Sequence, residues 1–310
     1  MIRVRPLVVA LSATLMLSTV AACGSGGDDA PKNVSAKTAA LGTLTPGVLK
    51  VAVQPYAPYT TEQGGKIVGL DGDILTSVAK KLGLQIKPQV TDFAGMLAGV
   101  QSRRVDITVG GVAWSADRQK QGLFTDPPYY SPPAMAVHSG KTYKTVTDLK
   151  GLNLGTVDGY VWVKSIQSVA GAKLHAYPDA NGVFDDLGAG RIDVGFLDPL
   201  IIIAAQKQRP DLKIATEYLT PPTAAEVKAK PDYQYFEPYQ TGFYLPKKAT
   251  KLERAISAQI DAMYRNGELA KLVTKYGGDP EQFLRPAADV AAARRGVDRP
   301  SDWTPPSIGK

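Results

Sequence analysis

Val105-Asp-Ile-Thr-Val-Gly-Gly-Val-Ala-Trp-Ser-Ala-Asp-Arg118, followed by Leu123-Phe-Thr-Asp-Pro-Pro-Tyr-Tyr130, is the stretch around which the rest of the chain is arranged. Residues 105–109 read as a short strand of mostly β-branched residues, ended by Gly110-Gly111. Ser115 has the chemistry of a helix N-cap, which places Arg118 at the third helical position. A capping box wants Glu or Gln there, and the helix dipole disfavours a cation in the first turn. Arg118 is best explained if its guanidinium faces something negative beyond the helix end. A carboxylate fits, because Arg presents a planar fork of donors matched to two oxygens. The bland alternative is a solvated surface arginine.

The chain of 310 residues is 44% hydrophobic and 21% charged, an ordinary globular composition long enough for two lobes plus tails. Its formal charge of +7 includes Arg3 and Arg5, and no basic run exceeds two residues. That argues against nucleic acid as a partner, which would want a concentrated basic face. The single cysteine, Cys23, leaves no intrachain disulfide and no cysteine-based metal site. The two histidines, His138 and His175, stand far apart with no metal-ligand spacing. No metal and no cofactor are expected.

Arg3 and Arg5 form a positive start, and residues 7–22 are an apolar run too short for a comfortable membrane span. It ends Val20-Ala21-Ala22-Cys23-Gly24, which resembles a bacterial lipobox. Residues 1–22 are thus expected to be a lipoprotein signal peptide, with Cys23 lipidated and becoming the new N-terminus. Residues 23–45 are small, polar and aperiodic, and read as a flexible linker.

Strand and helix patterns then alternate. Residues 48–53 read as a buried strand, with Gln54-Pro-Tyr56-Ala-Pro-Tyr59 as the loop beyond it, where open α/β sheets bind ligands. Gly64-Gly65 reads as a hairpin turn, and Gly69-Leu-Asp-Gly-Asp-Ile74 opens a helix closed by Gly83. Asp71 and Asp73 are read as helix N-terminal charges rather than a catalytic pair. Asp92 caps a helix carrying Phe93, Met96, Leu97 and Val100 on one face. Beyond Tyr130, a second lobe is expected with strands at 152–157 and 173–177. Asp158-Gly-Tyr-Val-Trp162 opens a helix, and Gly190-Arg-Ile-Asp-Val-Gly-Phe-Leu-Asp198-Pro199 is a strand leading to a helix. Asp198 reads as a cleft residue or, alternatively, a simple N-cap. Residues 220–240 are expected to be a long loop ending in a return crossing near Tyr239-Gln240. Leu252, Ile256, Ile260 and Met263 form one helical face, stopped at Asn266-Gly267.

These motifs resemble the family-3 extracellular solute-binding proteins, the receptors that feed polar amino acids to ABC transporters. The resemblance runs from about Gly47 to Gly277 and implies a two-lobed α/β fold of the type II periplasmic-binding-protein kind. Each lobe would be a wound β-sheet flanked by helices, and two hinge strands would join them. The implied division is 46–131 and 240–277 for lobe 1, 132–239 for lobe 2, and 278–310 for a C-terminal extension. By resemblance, Arg118 clamps a ligand α-carboxylate, Asp198 accepts from its α-ammonium, and Tyr56 covers its side chain. Gly110, Gly111 and Gly159 would add backbone, in company with Ala113, Trp114, Tyr160, Val161 and Trp162. Ala113, Tyr160 and Val161 stand where the family carries hydroxyl residues, which argues against a standard polar ligand, and the extra aromatics Trp114, Tyr160 and Trp162 point to a more apolar, aromatic or cationic side chain. Trp114, Tyr160 and Trp162 line either the pocket or the core. The implied protein is a monomeric, non-enzymatic binding lipoprotein, exported and lipid-anchored to the outer face of the cytoplasmic membrane. Its partners would be a small-molecule ligand and ABC permease subunits. The alternatives are a cyclohexadienyl or arogenate dehydratase on the same fold, and a ligand-sensing module that transports nothing.

Overall fold

The computed structural model describes residues 31, 33–286, 290 and 292–309. The expected signal peptide and Cys23 lie outside these described residues.

Two five-stranded sheets each build one lobe. In the first, Val48–Val53 pairs in parallel with Gln85–Val90 on one side and Ile107–Thr108 on the other. Tyr244–Pro246 and Gly122–Phe124 extend this sheet by antiparallel pairing. Strand Val48–Val53 is buried along almost its whole length, as its run Val-Leu-Lys-Val-Ala-Val requires when helices cover both faces. The second sheet repeats the plan: Asn153–Val157 lies between Lys173–Tyr177 and Val194–Leu197, all parallel. Ala134–His138 and Ile214–Tyr218 complete it in antiparallel sense. The chain crosses between lobes twice, at Tyr130–Ser131 and Tyr239–Gln240, which pair with each other as a two-stranded ribbon.

The local signals act as physical chemistry dictates. Gly83 takes the left-handed conformation, φ 69°, and closes helix Leu70–Leu82. Asp92 and Asp179 accept backbone N–H bonds at the starts of helices Phe93–Gln101 and Ala180–Gly188. Helix Thr250–Arg265 buries Leu252, Ile256, Ile260 and Met263 on one face.

Three regions differ from expectation. Residues 33–45, read as linker, fold onto the first lobe: the Thr38 hydroxyl donates to the Leu82 carbonyl at 3.1 Å, and Leu44 N–H to Asp106 at 2.7 Å. Residues 220–240 are not a bare loop but hold helix Ala224–Ala229, started by a Thr223–Glu226 capping box, and a 3₁₀ turn Pro231–Phe236. The aperiodic composition hid both because each is too short to show a 3.6-residue pattern.

The third is the C-terminal segment, whose role composition left unreadable. Its Arg294 is fully buried, sandwiched between Trp114 at 5.9 Å and Trp303 at 5.5 Å. It donates to the Thr125 carbonyl at 2.7 Å and the Phe124 carbonyl at 3.1 Å, and pairs with Asp298. Arg299 pairs with Asp126 and Glu253, each at 2.8 Å. The segment also takes the outward side chains of both crossings: Tyr130 donates to the Pro306 carbonyl at 2.7 Å, and Gln240 to the Val290 carbonyl at 2.5 Å. Replacing Arg294 by Met leaves the buried Asp298 carboxylate only its longer pair with Arg299, at 3.6 Å, so Arg294→Met is expected to lower unfolding free energy by about 3 kcal/mol. Urea denaturation measures this, and adding Asp298→Leu should restore part of the loss.

Candidate functional site

The parallel strands of both sheets end toward the same cleft, where open α/β sheets place their ligand loops. From the second lobe, Asp198 follows strand Val194–Leu197 and occupies the N-cap of helix Pro199–Gln208. Its side chain makes no capping bond, so the simple N-cap reading fails. The carboxylate turns into the cleft and is 3% exposed. Tyr56 donates its hydroxyl to Oδ2 at 2.9 Å, Ser131 donates to Oδ1 at 3.4 Å, and Tyr239 donates to Oδ1 as well. The Tyr56 oxygen also accepts the Asp198 backbone N–H at 3.2 Å. Burial pushes the Asp198 carboxyl up to about 6, against the three hydroxyls and Arg118, which favour its ionised form.

From the first lobe, Ser115 caps helix Ala116–Gln121 by accepting the Arg118 N–H at 3.2 Å. The guanidinium leaves the helix end and spans the cleft, with Nη1 donating to the Ala113 carbonyl and Nη2 to the Gly159 carbonyl, both at 2.7 Å. It lies 5.2 Å from the Phe93 ring centroid. Desolvation lowers its pKa to about 10, so it remains a cation at neutral pH, and part of the side chain stays exposed at the cleft mouth. Two of its five N–H groups are committed to carbonyls, which leaves three for an anion.

Arg118 and Asp198 line one small cavity of about 10 Å³, room for about one water as the lobes stand, together with Gly111, Ala113, Tyr160, Val161 and Trp162. Phe93 and Tyr239 complete the lining. Gln54 donates to the Tyr160 hydroxyl at 3.1 Å across the cleft, and Asp117 and Lys164 pair at 3.0 Å on its rim.

Several expected residues stand elsewhere. The Gly110 and Gly111 N–H groups do not face the cavity; both donate to Asp71, at 2.7 and 2.8 Å. Asp71 is therefore more than a helix N-terminal charge: it is buried, pushed up to about 6 by desolvation, and fixes the turn that presents Gly111. Gly111 has φ +66°, and a Cβ there would come within 3.0 Å of Asp198 Oδ2, so the position demands glycine. Trp114 points away from the cavity, onto Arg294. Tyr56 spends its hydroxyl on Asp198 and stacks on Tyr59 at 5.5 Å rather than lying over the cavity. Gly159 meets Arg118 through its carbonyl. Two lining residues escaped sequence reasoning. Phe93 reads as one more core position of its helix, and Tyr239 lies in a stretch without periodicity; the only signal for it is its place at the return crossing.

Asp198 holds its proton up to about pH 6 when folded but to about 3.8 in the free state. Between these values the folded chain binds more protons than the unfolded one, so Asp198 makes stability fall as pH rises. Thermal melts from pH 4 to 7 should show a flatter slope for Asp198→Asn than for the wild type. Equal slopes would show Asp198 to be ionised throughout.

The sequence model of the bacterial extracellular solute-binding proteins, family 3, matches residues 49–279. The probable amino-acid-binding protein YxeM of Bacillus subtilis is 25% identical over 267 residues, covering 84% of this chain and 91% of that protein. The L-cystine-binding protein TcyJ of Escherichia coli is 29% identical over 239 residues, covering 75% of this chain and 83% of that protein. Among solved structures, an ancestral arginine-binding protein bound to arginine superposes with a TM-score of 0.65 at 26% identity. It covers 75% of this chain and 99% of that one.

Proposed function

Because the chain belongs to the bacterial extracellular solute-binding proteins, family 3, we propose that it is the substrate-binding component of an amino-acid ABC importer. The observation that carries this reading is the pair of opposite charges, Arg118 from one lobe and Asp198 from the other, facing a single cavity. An α-amino acid is the smallest common solute with a carboxylate and an ammonium close together. The carboxylate meets the three uncommitted Arg118 donors, and the ammonium meets Asp198. Tyr56 and Tyr239 hold the Asp198 carboxylate in place by their hydroxyls, while Tyr160 and Trp162 wall the side-chain space. The relatives named for amino-acid and cystine binding support the assignment.

Among the described residues, the lobes are joined at the cleft by Gln54–Tyr160, Tyr56–Asp198, Tyr59–Leu200, Arg118–Gly159 and Asp117–Lys164, and by the ribbon of two crossings, so opening breaks a set of side-chain bonds and no strand of either five-stranded sheet. A ligand that touches both lobes favours the closed form by its differential contacts, and a permease reads the closed form. The chain chemistry is binding, without covalent steps. The protein is exported and held at the outer face of the membrane by lipid on Cys23, the sole cysteine.

An amino acid present at 100 times its dissociation constant should stabilise the chain by about 2.7 kcal/mol in a thermal-shift assay. Arg118→Ala and Asp198→Ala should each remove that shift. An unchanged shift in both variants would rule out the clamp. Cys23→Ser should move the chain from the membrane to the soluble fraction on cell fractionation; retention there would exclude the lipid anchor.

A further inference from the structure

The charges in the cavity are few, and they select among amino acids. Of the lining side chains among the described residues, Arg118 is the only cation and Asp198 the only anion. A zwitterion's carboxylate and ammonium use both. A ligand side chain that carried a further charge would enter an aromatic-walled space whose lining holds no counter-ion left to meet it.

Two acids close to the cavity, Asp71 and Asp117, stand outside its lining. Asp71 is buried behind the Gly110–Gly111 turn and spends its Oδ2 on both N–H groups there, while its Oδ1 is buried without a partner. On the rim, Asp117 is shared between Lys164 and Lys120, each at 3.0 Å. A cation–π site for a charged ligand is also partly taken, since the Arg118 guanidinium already lies over Phe93. A second cation on that ring would meet a like charge. The neutral polar equipment is equally sparse. Among the lining residues of the described chain, the one buried side-chain polar atom without a partner is Trp162 Nε1, a donor. It suits a second bond to the ligand carboxylate, where Ala113 and Val161 offer no hydroxyl. The remaining wall is Phe93, Tyr160, Val161 and Tyr239, with the Tyr160 and Tyr239 hydroxyls turned to Gln54 and Asp198.

We infer that the preferred ligands are α-amino acids with an uncharged, apolar side chain. This rests on the amino-acid reading above and narrows it, away from the cationic ligand of the superposed arginine-binding protein.

The test is a calorimetric panel on the full chain in detergent, with methionine, leucine and phenylalanine against arginine, lysine, glutamate and aspartate. The expected result is binding of at least one apolar amino acid about a hundredfold or more tighter than any charged one. Val161→Glu, which adds an anion to the lining, should narrow that gap for lysine and widen it for glutamate. Trp162→Phe keeps the ring and removes the donor, and should weaken the apolar ligands about tenfold. If a charged amino acid binds as tightly as the apolar ones, and does so through Arg118, the inference is overturned while the amino-acid reading stands. If no α-amino acid binds, or binding survives Arg118→Ala, the underlying reading fails and takes the inference with it.

Discussion

One buried carboxylate gathers donors from every part of the molecule that has to move. Asp198 belongs to the second lobe, Tyr56 to the first, Ser131 to one crossing and Tyr239 to the other. In a low-dielectric cleft, hydrogen bonds to an ionised group are strong, and an unmet lone pair is costly. The carboxylate therefore sets the closed geometry: its hydroxyl partners are satisfied together only when both lobes and both crossings are in register. Gly111 is part of the same constraint, because any side chain there would push into Asp198.

Arg118 does the complementary work from the other side. By donating to the Ala113 carbonyl in its own lobe and the Gly159 carbonyl in the opposite one, it turns a first-turn arginine, awkward for its helix, into a strut across the cleft. Asp71 is the support beneath. A buried acid with a raised pKa is an expensive group to keep, and its return is a rigid Gly110–Gly111 turn. The site is thus built in two layers, an outer pair of charges that face the cavity and an inner acid that holds the loop between them.

Much of this was legible in the residues. Ser115 as cap, Arg118 aimed past its helix end and Asp198 at a strand terminus all follow from local rules, because caps and strand ends are decided within a few residues. What escaped was decided at long range. Nothing local distinguishes Phe93 from its core neighbours Met96 and Val100, and only the opposing lobe makes its ring a cavity wall. Trp114 looks like a pocket aromatic by its position after Ala113, yet a guanidinium 180 residues later draws it outward. Likewise the carbonyls that take up Arg294 belong to Phe124 and Thr125, and nothing in their side chains announces that partner.

The placement of the three tryptophans divides the chain optically. Trp162 is 1% exposed and sits in the cavity wall, with ring neighbours Tyr160, Phe196 and Tyr239. Trp114 and Trp303 both pack on the Arg294 guanidinium, where the Trp114 backbone N–H also donates to the Gln240 carbonyl of the return crossing at 2.8 Å. The indole fluorescence of this protein accordingly comes from two separate environments. One is the cleft itself, and the other is the C-terminal segment where it grips both crossings, so a single intrinsic signal reports on the two faces of the same hinge.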